Sequence, residues 1–384
     1  MTRQHATYTS CINSLPLDAQ EARALRPVME YYAFRANDYY LSLINWDDPA
    51  DPIRRIIVPH PDETKDWGEL DPSDEARYTA VPGMQHKYRD TAILLAGKAC
   101  GGLCRFCFRK RIFMEGGTPP VPDTGKALAY IRAHKEITNV LISGGDPLLL
   151  PLAELEHILK GLDAVDHLQF IRIGSRMPVF DPGLIAGNTR LLELLSRYSR
   201  PGRKLYMQTH FNHPRELSPL ALEAVDALQR AGIIMTNQTP LLRGVNDCPE
   251  TLSELFAKLA GAGVPPYYLF VCRPTKGNRH FTVPIEEGYD ILQKAQKTLS
   301  GPAKRVRYAM SHATGKIEVV SVTHDQVVFR RHRTPNPAHS GSLLSFPRNP
   351  AATWLDDYTA PAGKGMPRRM EGIPGWGSRS SRDA

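Results

Sequence analysis

Six short apolar runs, each followed by a helical pattern, constrain this chain more than any other feature. The runs are TAILLAG (91–97), NVLIS (139–143), LQFIRIGS (168–175), KLYMQTHF (204–211), IIMTNQTP (233–240) and PYYLFVC (266–272). Short apolar runs rich in β-branched and aromatic residues and bounded by turn residues read as buried strands. The segments that follow them are TGKALAYIRAH, LAELEHILKGLDAV, NTRLLELLSRY, LALEAVDALQRA, TLSELFAKLAGAG and IEEGYDILQKAQKTL. Each carries its apolar residues at helical spacing. Consecutive strand–helix units require a parallel sheet joined by right-handed crossovers. The expected fold is therefore α/β, a partial (β/α)6 barrel over residues 91–303, related to the eight-unit barrel. A flat doubly wound sheet is the alternative.

The flanks read differently. Residues 1–90 are expected to form an N-terminal helical extension, with DAQEARALRPVMEYYAF as its clearest helix. Beyond residue 304, RVRYAMSH, KIEVVSV and QVVFRR alternate with a period of two, which predicts a small C-terminal β meander over 304–333. Residues 334–384 are rich in Pro, Gly, Ser and Arg and read as a disordered tail.

Composition narrows the function classes. No run of about 18 apolar residues occurs, so no membrane span is expected. The first residues, MTRQHATYTSCINSLPLDAQ, contain no apolar signal region. Six cysteines in 384 residues make no disulfide framework, which suits a reducing, cytoplasmic setting. The net charge of +8 is dispersed. No nucleic-acid-binding motif accompanies it, so no nucleic-acid partner is expected.

The strands end in polar groups: SGGD, GSR, THFNH, TNQT and VCR. In parallel α/β folds that edge carries the site. After the first strand comes KACGGLCRFCFRKR, with Cys100, Cys104 and Cys107 spaced C-x3-C-x2-C. A structural zinc site takes four ligands. Three thiolates on one tight loop instead suit an iron–sulfur cube with one iron left open.

The C-x3-C-x2-C spacing, with Phe106 just before the third cysteine, resembles the signature of the radical S-adenosylmethionine enzymes. The resemblance implies a 4Fe-4S cluster on Cys100, Cys104 and Cys107. It also implies S-adenosyl-L-methionine on the open iron, cleaved to a 5′-deoxyadenosyl radical. It places Gly144, Gly145 and Asp146 of ISGGDPLLL against the methionine amino group. Further stretches resemble the lysine 2,3-aminomutase family: YYLSLINWDDPADPIRR, VPGMQHKYRDTAILL, CRFCFRKR, IRIGSRMPV, THFNHPREL and LLRGVNDC. The likeness spans roughly residues 20–325. It implies a second cofactor, pyridoxal 5′-phosphate, and an isomerase that moves an α-amino group to the β-carbon. Its partners would be a small amino acid and an electron donor such as flavodoxin or ferredoxin. A homo-oligomer is compatible with it.

Residue by residue, the likeness puts the pyridoxal phosphate on Lys316 in MSHATGKIEVV, with Lys276 in reserve, and the substrate α-carboxylate on Arg109. Ser175, His210 and Gln238, with Asn212 and Asn237, stand at strand ends and are expected to line the cofactor cleft. Lysine-specific members hold the substrate ammonium with two aspartates. The matching positions here are Arg273 and Ala309. A cation in place of an anion repels an ammonium. Arg273 suits a side-chain carboxylate, as in glutamate, or pairs with a local acid or a phosphate. Elimination, hydrogen exchange or lysine 2,3-aminomutation proper are the alternative outcomes. Cys248 matches a family zinc ligand, but no cysteine follows Cys272, so no zinc clamp is expected.

Overall fold

The computed structural model describes residues 6–114 and 123–358. Twelve strands form one sheet whose spatial order is the chain order. They are β1 (Thr79–Val81), β2 (Met84–Tyr88), β3 (Thr91–Gly97), β4 (Asn139–Gly144), β5 (Phe170–Gly174) and β6 (Leu205–Thr209), then β7 (Ile234–Pro240), β8 (Pro266–Phe270), β9 (Arg307–His312), β10 (Gly315–Val322), β11 (Gln326–Arg333) and β12 (Leu343–Pro347). Strands β3 to β9 are parallel to one another. The hairpins on either side are antiparallel. Six helices follow β3 to β8: α1 (Thr124–Ala133), α2 (Leu152–Asp163), α3 (Thr189–Tyr198), α4 (Pro219–Arg230), α5 (Pro249–Gly261) and α6 (Ile285–Lys297).

Local chemistry starts these helices where they start. Asn188 and Ser218 accept from Leu191 N and Ala221 N at 3.1 Å each, capping free donors of the first turns of α3 and α4. Pro219 and Pro249 stand near the starts of α4 and α5, where a missing N–H leaves nothing unpaired. Each helix then buries one stripe: Leu155, Ile158, Leu159 and Leu162 in α2, and Leu252, Leu255, Phe256 and Leu259 in α5. The same core holds Val140, Ile142, Ile171, Leu205 and Met207 from the sheet, all fully buried.

Strand alternation sends the intervening residues to the other face. The register runs Ser143 on β4, Arg172 on β5, Gln208 on β6, Gln238 on β7, Tyr268 and Phe270 on β8, Ala309 and Ser311 on β9, and Lys316 on β10. These residues share the concave face. The sheet curls until its ends meet. Lys87 Nζ on β2 donates to His312 O at 2.8 Å, and Tyr78 Oη donates to Ala313 O at 3.3 Å. Arg333 on β11 pairs with Asp90 and donates to Thr91 Oγ1 at 3.0 Å. The partial barrel is thus laced shut by side chains where a full barrel would use a strand ladder.

Three expectations need correction. The first 90 residues are not only helical. Tyr8–Thr9 pairs with Ala36–Asn37, and β1 and β2 extend the barrel sheet. The 304–333 segment is not a meander alone, because β9 adds a seventh parallel strand beside β8. Residues 334–358 are not a disordered tail. Strand β12 pairs with β11, Trp354 and Leu355 are buried, and Arg348 Nε binds Glu286 at 2.7 Å. The rest of that expectation, 359–384, lies outside the described residues. Among the described residues no helix is long and apolar enough to cross a membrane.

Candidate active site

The cysteine loop leaves β3 and is clamped from two sides. On its inner side, Gly145 N donates to Gly97 O and Asp146 N to Ala99 O, both at 2.6 Å. A Cβ on Gly145 would lie 2.3 Å from Ala99 O, and Gly144 holds φ +115°. The two glycines therefore let the ends of β3 and β4 touch. Gly145→Ala is expected to cost about 3 kcal/mol, the upper end for overpacking, and to cut the iron bound on reconstitution. A lowered melting temperature and an iron assay would show it; unchanged values of both would contradict it.

On its outer side, Glu63 gathers the loop. Its fully buried carboxylate takes Arg105 Nε at 2.8 Å and Nη2 at 2.7 Å, and Lys110 Nζ lies 3.5 Å away. Planar guanidinium and carboxylate make the bidentate pair. Burial pulls Lys110 down to about 8 while the Glu63 charge opposes that.

Cys100, Cys104 and Cys107 border one cavity with Tyr32, Lys110 and Phe113. Burial pushes the Cys107 thiol up to about 11 and raises the other two. Iron would have to displace those protons. No three His, Cys, Asp or Glu side chains among the described residues converge on a single ion position. A four-iron cube does not require that, because each thiolate takes a different iron. The donor set of three sulfurs on one eight-residue loop fits such a cluster.

Asp146 does more than cap a turn. Its carboxylate accepts from Ser175 Oγ at 2.8 Å, Arg176 N at 2.7 Å and Leu148 N at 3.1 Å. Burial still lifts it to about 6, against those hydrogen bonds. Asp146 and Ser175 thus join the ends of β4 and β5 behind the cysteine loop. Phe106 stands edge-on to Phe281, with centroids 6.0 Å apart. Burial, then the charges of Arg176 and Arg273, push His210 down to about 4 and leave its ring neutral. Gln238 sits on the concave face. Asn237, one residue earlier, does not line the cleft: its amide binds Phe211 N at 2.8 Å and Phe211 O at 2.9 Å. Period-two alternation puts it on the opposite face. Asn212 is fully buried, and both polar atoms of its side chain lack partners among the described residues.

Lys316 stands on the concave face at the start of β10. Its Nζ is 3.9 Å from the centre of the Tyr268 ring and 5.0 Å from that of Phe270. Burial and the charges of Arg172, Arg333, Arg273 and Lys87 push its ammonium well below the ordinary lysine range. That favours the free amine, the form that condenses with an aldehyde. Lys276 is half exposed and lies 3.8 Å from Asp66.

Arg172 donates to Asn139 Oδ1 at 2.9 Å and Gln208 Oε1 at 3.2 Å. Lys87, whose charge also acts on Lys316, falls to about 8 through burial and then Arg273. This row of cations was not legible as a cluster in the sequence, since its members come from four separate strands and one loop. The residues fit a group carrying a phosphate and an aldehyde.

Arg109 and Arg273 meet over Phe108, their guanidinium carbons 4.7 and 3.8 Å from its centroid. Arg109 is held by Glu75, with Nε at 2.9 Å and Nη2 at 2.8 Å from Oε1, and its Nη1 donates to Ser143 Oγ at 3.3 Å. Glu75 also pairs with Arg111. Despite burial, these two arginines hold it down at about 2. Arg273 donates to Ser73 Oγ. Among the described residues it makes no ion pair, and burial lowers it to about 10. Sequence reading missed Ser73 and Glu75, which carry no motif.

The chain is similar to several known proteins. Residues 94–256 match the family model "Radical SAM superfamily". A protein of Aquifex aeolicus (strain VF5) provisionally named L-lysine 2,3-aminomutase is 50% identical over 341 residues, 88% of this chain and 91% of that protein. The L-lysine 2,3-aminomutase of Clostridium subterminale is 34% identical over 325 residues, 82% of this chain and 77% of that protein.

Proposed function

The chain belongs to the lysine 2,3-aminomutase family of radical S-adenosylmethionine enzymes, and from that premise we propose that it shifts the α-amino group of an acidic amino acid, glutamate first, to the β-carbon, with pyridoxal 5′-phosphate on Lys316. The observation that carries the substrate class is Arg273: a half-buried cation without an ion-pair partner among the described residues, beside Arg109. Ala309, fully buried on the same concave face, brings no charge to offset it. A substrate with two carboxylates answers both arginines. An ammonium side chain would be repelled by Arg273.

When bound, the cluster with S-adenosylmethionine supplies the one-electron chemistry that abstracts an unactivated hydrogen, and pyridoxal phosphate supplies the π-system through which the amino group moves. The protein's own residues bind, orient and shield. Lys316 presents a free amine against Tyr268. Arg172, Lys87 and Arg333 offer positive charge for a phosphate. Arg109 takes the α-carboxylate while Glu75 fixes its plane. His210, kept neutral between Arg176 and Arg273, adds no further charge to the cleft. The cysteine loop leaves β3 and Lys316 opens β10 of the same curled sheet, an arrangement that would bring radical source and substrate within reach of each other.

The test is a panel of amino acids incubated with the reconstituted enzyme, S-adenosylmethionine, pyridoxal phosphate and reductant. β-Glutamate should accumulate. Product from lysine but none from glutamate or aspartate would refute the assignment of substrate class.

A further inference from the structure

Arg176 is absorbed by none of the roles above, yet it is among the most elaborately held side chains in the molecule. It is 8% exposed. Its Nη1 donates to Cys104 Sγ at 2.8 Å. Its Nη2 pairs with Glu216 Oε1 at 2.6 Å and reaches Tyr40 Oη at 3.4 Å. Its Nε donates to His210 O at 3.0 Å, and its backbone N donates to Asp146 at 2.7 Å. The guanidinium lies 4.4 Å from the Phe180 centroid and 5.6 Å from that of Phe106. Glu216 is itself fixed, accepting from Tyr40 Oη at 2.6 Å and from the backbone N of Asn212 and His213.

Such a cage does more than fill space. A loop that needed only packing would not direct a buried cation's N–H at a sulfur. Hydrogen bonds to cluster sulfurs and nearby fixed charge are among the protein's levers on iron–sulfur potentials. Reduction adds negative charge to the cluster, so a donor aimed at a ligand sulfur favours the reduced form.

We propose that Arg176 is a positioning residue that sets the reduction potential of the cluster through Cys104, with Glu216 trimming its charge. It makes one-electron reduction by a low-potential donor easier than it would be on the bare loop. The inference rests on the cluster occupying Cys100, Cys104 and Cys107.

The experiment is an anaerobic redox titration, followed by electron paramagnetic resonance, of the full chain reconstituted with iron and sulfide. Arg176→Met with Glu216→Gln removes both charges together, so no buried ion is left unpaired. Its midpoint should move negative, by about tenfold in the reduction equilibrium, which for one electron is 59 mV. Glu216→Gln alone leaves the arginine uncompensated, and its midpoint should move positive. Opposite shifts are the signature of tuning. Unchanged midpoints with full iron content overturn the proposal. So does loss of the cluster from the double variant while wild type loads it, because Arg176 would then only build the loop. A wild-type protein that binds no four-iron cluster would instead sink the cysteine assignment beneath it.

Discussion

Lys316→Ala should lose the absorption of protein-bound pyridoxal completely, and its aminomutase turnover should fall by about 10³-fold or more, as when a covalent anchor is removed. No other nearby lysine can take over. Lys87 is committed to His312 O, Lys110 to Gly277 O and Glu63, and Lys276 lies half exposed beside Asp66. The cations Arg172, Arg333 and Lys87 remain in the variant, so pyridoxal phosphate should still be retained without its covalent link. Its spectrum should then be that of the free aldehyde. A wild-type spectrum and rate in the variant would show that Lys316 is not the anchor.

Arg273→Asp carries the second large effect. It reverses the charge at the end of the pocket where a substrate side chain would lie. Two like charges about 4 Å apart at an effective dielectric near 20 repel by about 4 kcal/mol, so kcat/KM for glutamate should drop by about 10³-fold. Activity toward lysine should rise from the wild-type level. Arg273→Lys separates charge from shape: it keeps the cation but loses the planar stack on Phe108. It should retain part of the glutamate activity. Equal losses in the Asp and Lys variants would mean that Arg273 serves only to hold Ser73 and Phe108.

Much of the fold was legible because its signals are local. Six strand–helix units announce themselves by periodicity, and Cys100, Cys104 and Cys107 by spacing. What escaped depends on long-range partners. The strands flanking Pro82 and Gly83 are short and polar, and only pairing with β3 makes TAVPGMQHKY a hairpin. Residues 334–358 have the composition of a tail but are pinned by Glu286, Trp354 and the Phe346–Tyr358 ring contact. The site divides the same way. The resemblance picks out Arg109 and Lys316, whereas Glu75, Ser73, Arg172 and Lys87 come into their surroundings only through the fold. Asn237 was misplaced because a strand end exposes two faces, and the sequence does not say which one meets the cavity.

The central claim is that the radical source on the cysteine loop acts on a substrate held between Arg109, Arg273 and Lys316. Glutamate deuterated at its β-carbon tests this directly. Deuterium should appear in recovered 5′-deoxyadenosine and, in the product, at the carbon that lost the amino group. Unlabelled 5′-deoxyadenosine, with all deuterium still on the original carbon, would contradict the account.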